Sequence, residues 1–257
     1  MAKVVHYSYK GKGSIHIRKK VLGAVKRHIG NCSKLEYTVE EETEEMLDYR
    51  DAGGGVLESD TQIKSVKGAV DCYDHSPENI ALGMRGIVTK RPAADVVDEV
   101  VTADVGSVIL LERLQDLSKP ITVKSEDGTT TYDLGVDFTR SRAGIALVLD
   151  DDGAPAGGIA DGGELKVSYA ALADSVIEAM AAAAEDYEII FEGLNDARSG
   201  APVRITNHLA VFSPTKGLSA ITDKFGVMSL EFTNKKDPSI TGVGLSKYMK
   251  IEVAEIS

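Results

Sequence analysis

The sequence has no tryptophan, two cysteines and seven prolines, and nowhere runs apolar long enough to cross a membrane. With aromatics at only 5%, a core must rest on Val, Ile, Leu and Ala. Cys32 and Cys72 are too few for a disulfide scaffold, and no CxxC pair suggests zinc. The expectation is two reduced thiols in a protein made in the cytoplasm. The Ala-rich segment Ala170–Ala184 is broken by Asp174 and Glu178, short of the roughly 18 apolar residues a span requires. The opening MAKVVHYSYKGKGSIHIRKK lacks the apolar stretch of a signal peptide. Positive charge is also in short supply, with 29 bases against 40 acids and a net charge of −11. Such a chain repels nucleic acid on average. That argues against a DNA-binding regulator, though not against a surface past which DNA slides.

Catalytic signatures are missing too. GKGS and GVGLSK are not phosphate loops, and GxSxG and HExxH do not occur. His6, His16, His28, His75 and His208 are scattered beside no repeated acid. The densest polar cluster is DCYDHS, with Asp71, Cys72, Asp74 and His75. It reads as a strand end entering a capped helix, because element ends collect Asp and Ser. In DDDGAPAGGIADGGE, Asp150 and Asp152 begin a calcium-loop spacing that Ala154 breaks, so a turn is expected. The expectation is a protein that is not an enzyme and has no cofactor and no metal.

What is present is a chain of 257 residues, 43% apolar and with 25 glycines. That suits one large all-β unit, or a core domain with an insertion. Residues 1–29 are basic and read as an N-terminal arm for a neighbour's acidic surface or as a solvated hairpin. In KLEYTVEEETEEMLDYR, Glu36, Glu40, Glu42 and Glu44 fall on alternate positions, so a strand places all four carboxylates on one face. That face reads as a solvent-facing strand, as a lining that repels a polyanion, or as a subunit interface. The glycines Gly53, Gly54 and Gly55 follow Asp51, and a return strand Thr61–Tyr73 completes a long hairpin. Its tip, with Asp51 and the three glycines, is expected to contact a neighbouring subunit.

Ser76-Pro77-Glu78 opens a short helix as N-cap, first position and dipole-facing acid, with Gly86 at the C-terminal stop. Short strands separated by Asp-Gly turns fill Val108–Tyr169, and residues 103–169 read as a possible β-rich insertion. Leu172, Val176, Met180 and Ala183 recur at helical spacing, predicting a long helix over Ala171–Glu185. The total is about ten strands and two helices: mainly β, a β-sandwich with a flanking α-helix and a long hairpin.

Several blocks resemble the major tail tube proteins of siphophages, phages with long non-contractile tails. HIGNCSKLEYTVEEETEEMLDYR (His28–Arg50) is similar to that family's opening strand and following loop. DAGGGVLES and IKSVKGAVDCYDHSPENIALGMRG (Ile63–Gly86) resemble its return strand and short helix. TYDLGVDFTRSRAGIALVL, DGGELKVSYA and YEIIFEGLN are similar to later blocks, in the same order. The resemblance implies a structural virion protein assembled in the bacterial host cytoplasm. Its subunits form rings, usually of six, with an inner β-barrel, stacked into a tube that carries DNA during ejection. The implied partners are the chain itself, a tape measure protein, a tail terminator and a distal tail protein. DNA passes without specific binding, and no membrane is involved. Rival expectations are the tube of a contractile tail or secretion-type injection system, and a β-sandwich decoration or adhesion protein of the virion.

Overall fold

The computed structural model describes residues 7–50 and 52–254. The chain is mainly β, with 51% in strands and one α-helix among the described residues. The strands begin with β1 (Gly11–Lys19), β2 (Arg27–His28), β3 (Cys32–Leu47) and β4 (Val56–Cys72), before the helix α1 (Pro77–Met84). Then come β5 (Ile87–Arg91), β6 (Ala94–Thr102), β7 (Val108–Leu110), β8 (Ile121–Ser125) and β9 (Thr131–Tyr132). They are followed by β10 (Phe138–Arg140), β11 (Gly144–Leu147), β12 (Glu164–Ala171) and β13 (Asp174–Glu178). The last are β14 (Asp186–Asn195), β15 (Ala201–Phe212), β16 (Met228–Asn234) and β17 (Met249–Val253). The described residues form two compact units, one running to Val88 and resuming at Ile177, the other spanning Thr89–Val176. β5 and β13 pair with each other.

The first unit is an eight-stranded sheet in the order β2-β1-β14-β15-β16-β4-β3, with β17 also beside β15. Strand alternation sends one face of β1, β4, β14, β15 and β16 into a shared core. Ile15, Ile17, Val70, Ile189, Phe212 and Phe232 lie there, and Leu82 of α1 packs onto them. The aromatic rings meet edge to face, Tyr187 on Phe212 at 5.4 Å and Phe212 on Phe232 at 5.6 Å between centroids. The sheets are not closed into a barrel, and the fold is of β-sandwich type with a flanking helix.

β15 is shared between two neighbours along one edge. Ala210–Phe212 pairs with β16, whereas Val203–Asn207 pairs with β17. The backbone stays paired at the fork, His208 N donating to Tyr248 O at 3.1 Å and Lys235 N to Leu209 O at 2.7 Å. Buried side-chain amides there also find partners. Asn234 Nδ2 donates to Asn207 Oδ1 at 2.9 Å, and Asn207 Nδ2 donates to the Tyr37 hydroxyl at 2.8 Å. Burial pushes the Tyr37 phenol up to about 12.

α1 begins as its sequence predicts: Ser76 is the N-cap and accepts from Asn79 N at 3.3 Å, Pro77 is at the first position and Glu78 is in the first turn. Its stop differs. Arg85, not Gly86, takes the left-handed conformation (φ 46°), and Gly86 N donates to Ala81 O at 2.7 Å. Gly86 is there for space, since a Cβ would lie 2.9 Å from Ile177 Cγ2.

The long helix expected over Ala171–Glu185 is not formed; the segment holds strand β13 and turns. Two tertiary demands override the apolar spacing. Met180 N and Ala182 N donate to Met84 O and Arg85 O, both at 2.9 Å, satisfying carbonyls that α1 leaves open. Asp174 is fixed by Arg91 (Nε–Oδ1 2.9 Å) and Arg113 (3.2 Å). The strands also number seventeen among the described residues rather than about ten.

The basic segment read as an N-terminal arm contributes β1, paired along its length with β14. Its cations bind acids of the same chain: Lys10 and Lys12 to Asp196, Arg18 to Glu188, Lys19 to Glu185 and Lys20 to Asp237. In the second unit, the sheets β6-β12-β8-β9 and β10-β11-β7 share a core of Val101, Val123, Phe138, Ile145, Leu165 and Val167. The unit begins and ends outside the 103–169 stretch read as an insertion. Asp150 Oδ1 accepts from Asp152 N and Ala154 N, which makes that segment the expected turn.

Candidate functional site

The most unusual part of the surface is the hairpin of β3 and β4. Its root belongs to the sheet. Leu35 and Tyr37 pack on the core, opposite Val70 and Gly68. Gly68 lies beneath the Phe232 ring, where a Cβ would come within 2.2 Å of Cζ. Only glycine fits below that ring.

Beyond Glu40 the hairpin leaves the core. The register slips there, with Glu40 opposite Ser65 and Glu41 opposite Ile63, so Lys64 is an extra residue on β4. Such a bulge bends a strand and increases its twist. From Glu41 out to the turn and back to Lys64, every described residue except Asp48 is exposed. Both faces of a two-stranded ribbon are therefore bare. A lone two-stranded hairpin is marginal in water at best. Hydroxyls of Thr43 and Thr61 pair across it at 3.0 Å.

The predicted glutamate row is on this hairpin, and none of its members lies in the core. Three of the four are paired. Glu36 meets Lys34 at 2.6 Å, Glu40 meets Lys67 at 2.7 Å, and Glu42 meets Lys64 at 3.6 Å. Lys67, then the Ser65 hydroxyl, hold the Glu40 carboxyl below its usual range. Glu44 instead stands opposite Asp60, whose carboxylate accepts from Gln62 at 2.7 Å. Sequence reasoning missed these lysines. Lys34 was legible, two residues from Glu36 on the same face; Lys64 and Lys67 needed the hairpin register.

Acid still dominates the outer ribbon. Glu41, Glu42, Glu44, Glu45, Asp48, Glu58 and Asp60 face only Arg50 and Lys64. Apolar side chains are exposed among them: Met46, Leu47, Tyr49, Val56, Leu57 and Ile63, with Tyr49 at 86%. At the tip, Asp48 N donates to Gly55 O at 2.7 Å, and Arg50 binds the Asp48 carboxylate at 2.9 Å. Gly53 (φ 123°) and Gly54 (φ 59°) hold left-handed conformations, and a Cβ on Gly53, Gly54 or Gly55 would touch nothing within 4 Å. These glycines serve the backbone angle, not close packing. Asp51 lies outside the described residues.

β3 is also the terminal strand of its sheet. Its outer edge, 16 residues long, has no strand partner among the described residues. An edge strand presents a row of backbone donors and acceptors to another chain.

A cleft of about 620 Å³ opens beside α1, lined by Ile17, Arg27, Leu82, Arg85, Tyr187 and Phe212. Several of its polar groups bond within the protein, while Arg85 Nε is buried without a hydrogen-bond partner among the described residues. Arg27 donates to Asn79 Oδ1 at 2.6 Å, Arg85 to Phe212 O at 3.4 Å, and the Tyr187 hydroxyl to Glu185 at 2.8 Å. Burial lowers the Arg27 guanidinium below its usual range. No described helix is long and apolar enough to cross a membrane.

Fold and site together define a strand-built protein with an acidic ribbon standing clear of its sheet. The chain belongs to the family described as Protein of unknown function UCP028589, whose sequence profile matches residues 8–252. Comparison with the curated proteins gives no match.

Proposed function

We propose that this chain is a structural subunit that polymerises, through the β3 edge and the ribbon beyond it, into the tail tube of a long-tailed bacteriophage. The observation that carries the reading is the 16-residue β3 edge without an outer partner, extended into a ribbon bare on both faces. A monomer gains little from such a feature. A neighbouring copy would pair the edge and cover the exposed Met46, Tyr49, Val56 and Ile63 side chains. The ordered resemblance of His28–Asn195 to siphophage tail tube proteins supplies the geometry: stacked rings, with the Asp51–Gly55 tip reaching another subunit.

The acidic surplus of the ribbon fits passage of a polyanion without capture. Paired lysines neutralise most of the root, so the repulsive charge lies outward, beyond Lys64. Screening within about 8 Å at physiological salt means that only carboxylates lining a channel would act on DNA. The role is structural, not catalytic; the internal bonding of Arg27 and Tyr187 in the α1 cleft supports that part of the reading. Tape measure, terminator and distal tail proteins are the expected partners, and the virion tail the expected location.

Negative-stain microscopy of the concentrated protein tests the proposal, paired with sedimentation over a range of concentrations. Rings or hollow tubes are expected. A species that stays monomeric at high concentration would overturn it, and a monomer that binds capsid or glycan would point to a decoration protein.

A further inference from the structure

Cys32 and Cys72 are far apart in sequence and opposite each other in the sheet, as Cα partners across β3 and β4. The adjacent Tyr73 N donates to Asn31 O at 2.9 Å. Cys32 and Cys72 therefore form the non-hydrogen-bonded pair beside that bond. Such pairs hold their Cα atoms about 4.5 Å apart, with side chains at their closest. A disulfide spans Cα separations of about 4.4–6.8 Å. The two thiols are free, and the Cys32 thiol donates to Gly30 O at 3.6 Å.

Their surroundings differ. Cys72 is wholly buried, its sulfur 3.1 Å from Ile29 O and 3.7 Å from the Asn79 amide nitrogen. Cys32, at the start of β3, is only partly buried and can be reached from solvent. One sulfur is thus placed to meet a reagent and the other to resolve the product.

We propose that Cys32 and Cys72 form an oxidisable dithiol that closes to a disulfide at the root of the ribbon when a small-molecule disulfide reaches Cys32. The Cys32 sulfur attacks one sulfur of the reagent. That S–S bond breaks, one thiolate departs, and a mixed disulfide forms on Cys32. The Cys72 sulfur then attacks the Cys32 sulfur, and the second thiolate leaves. The two cysteine protons pass to the two departing thiolates. One small disulfide is reduced to two thiols as the cysteines are oxidised to one disulfide.

The bond would tie the first residue of β3 to the last of β4, at the end of the hairpin that lies within the sheet. A reducing cytoplasm keeps the pair open, and an oxidising exterior closes it. The inference concerns the sulfur chemistry of a single chain and holds whether or not the chain builds tubes.

Incubating the purified full chain with oxidised glutathione, followed by intact-mass measurement, tests it. The expected product has lost the mass of two hydrogens, carries no adduct, and shows no free thiol after unfolding. Tryptic digestion without reductant should yield one linked species, HIGNCSK joined to GAVDCYDHSPENIALGMR. C72S should stop at the glutathione adduct on Cys32, and C32S should not react while folded. A wild-type chain that keeps both thiols, retains the adduct, or links to a second chain refutes the proposal. The digest reads the wild-type chain directly, so the result stands even if a variant fails to fold.

Discussion

Replacing Asn207 with leucine removes one side chain but strands two others. Asn207 is completely buried at the fork where β15 leaves β16 for β17. Its carbonyl accepts from Asn234 and its amide donates to Tyr37. Asn234 Oδ1 has no partner among the described residues, so this is the one hydrogen bond that the Asn234 side chain makes there. In Asn207→Leu the γ-branched shape is kept, and the hydrogen bonds are lost. Each buried group left unsatisfied costs about 1–3 kcal/mol, so two strand about 2–6 kcal/mol. The Tyr37 ring is only partly buried, which lets its hydroxyl find water and favours the lower half of that range. Urea unfolding followed by far-ultraviolet circular dichroism measures the change. Amide exchange on β15 and β16 peptides assigns it to the fork. Asn207→Leu with Asn234→Leu should be less damaging than the two single costs summed, with a coupling of about 0.5–3 kcal/mol. A single variant within about 0.5 kcal/mol of wild type, the usual range of an inert surface change, would refute the network's role.

Gly68→Val places carbon inside the space of the Phe232 ring and should destabilise the first unit by about 1–3 kcal/mol, read as a lower urea midpoint. The Ser239 hydroxyl and N–H, with Lys20, bring the Asp237 carboxyl down to about 2. A depressed carboxyl stabilises above its unfolded range, and that contribution fades as pH falls from about 4 through about 2. Asp237→Asn should therefore be less stable than wild type near neutrality and should converge with it in acid; a constant gap in melting temperature across that window would contradict the assignment. Amides of residues 41–64 should exchange quickly in the isolated subunit and slowly in assembled material, and equal rates would leave the ribbon without a role in assembly. Deleting Gly53–Gly55 should leave soluble subunit but abolish tube growth, an expectation that tubes of normal length would overturn.

Local chemistry was legible in the sequence wherever it set the structure. Ser76-Pro77-Glu78 announced α1, and the alternation of Glu36, Glu40, Glu42 and Glu44 announced a strand. What failed was decided at a distance. Leu172, Val176, Met180 and Ala183 carry a helical stripe, yet the carbonyls at the end of α1 recruit Met180 and Ala182 into a turn that follows β13. The basic N-terminus looked like an arm because its acids, Asp196, Glu188, Glu185 and Asp237, lie more than 150 residues away in the chain. The facing of Cys32 and Cys72 follows from the register of one hairpin, which composition does not encode. The extra residue at Lys64, which releases the ribbon from the core, has no signature of its own in the sequence.

The charges on β3 also bear on what kind of assembly the proposed reading allows. Two copies pairing β3 against β3 would bring the acids from Glu36 to Glu45 of one chain against the same run of the other. Like charges directly opposite in a sheet destabilise it. Such a twofold pairing is disfavoured even though the edge is long and open. The other strands of that sheet with only one neighbour are β2, which carries Arg27, and β17, whose Lys250 and Glu252 pair with each other. Pairing the β3 edge with a different edge makes a head-to-tail contact. Repeated, that contact gives a ring if the rotation closes and a filament if it does not. The same glutamates that guard a monomer's edge against its own image therefore leave open the pairing that a tube requires.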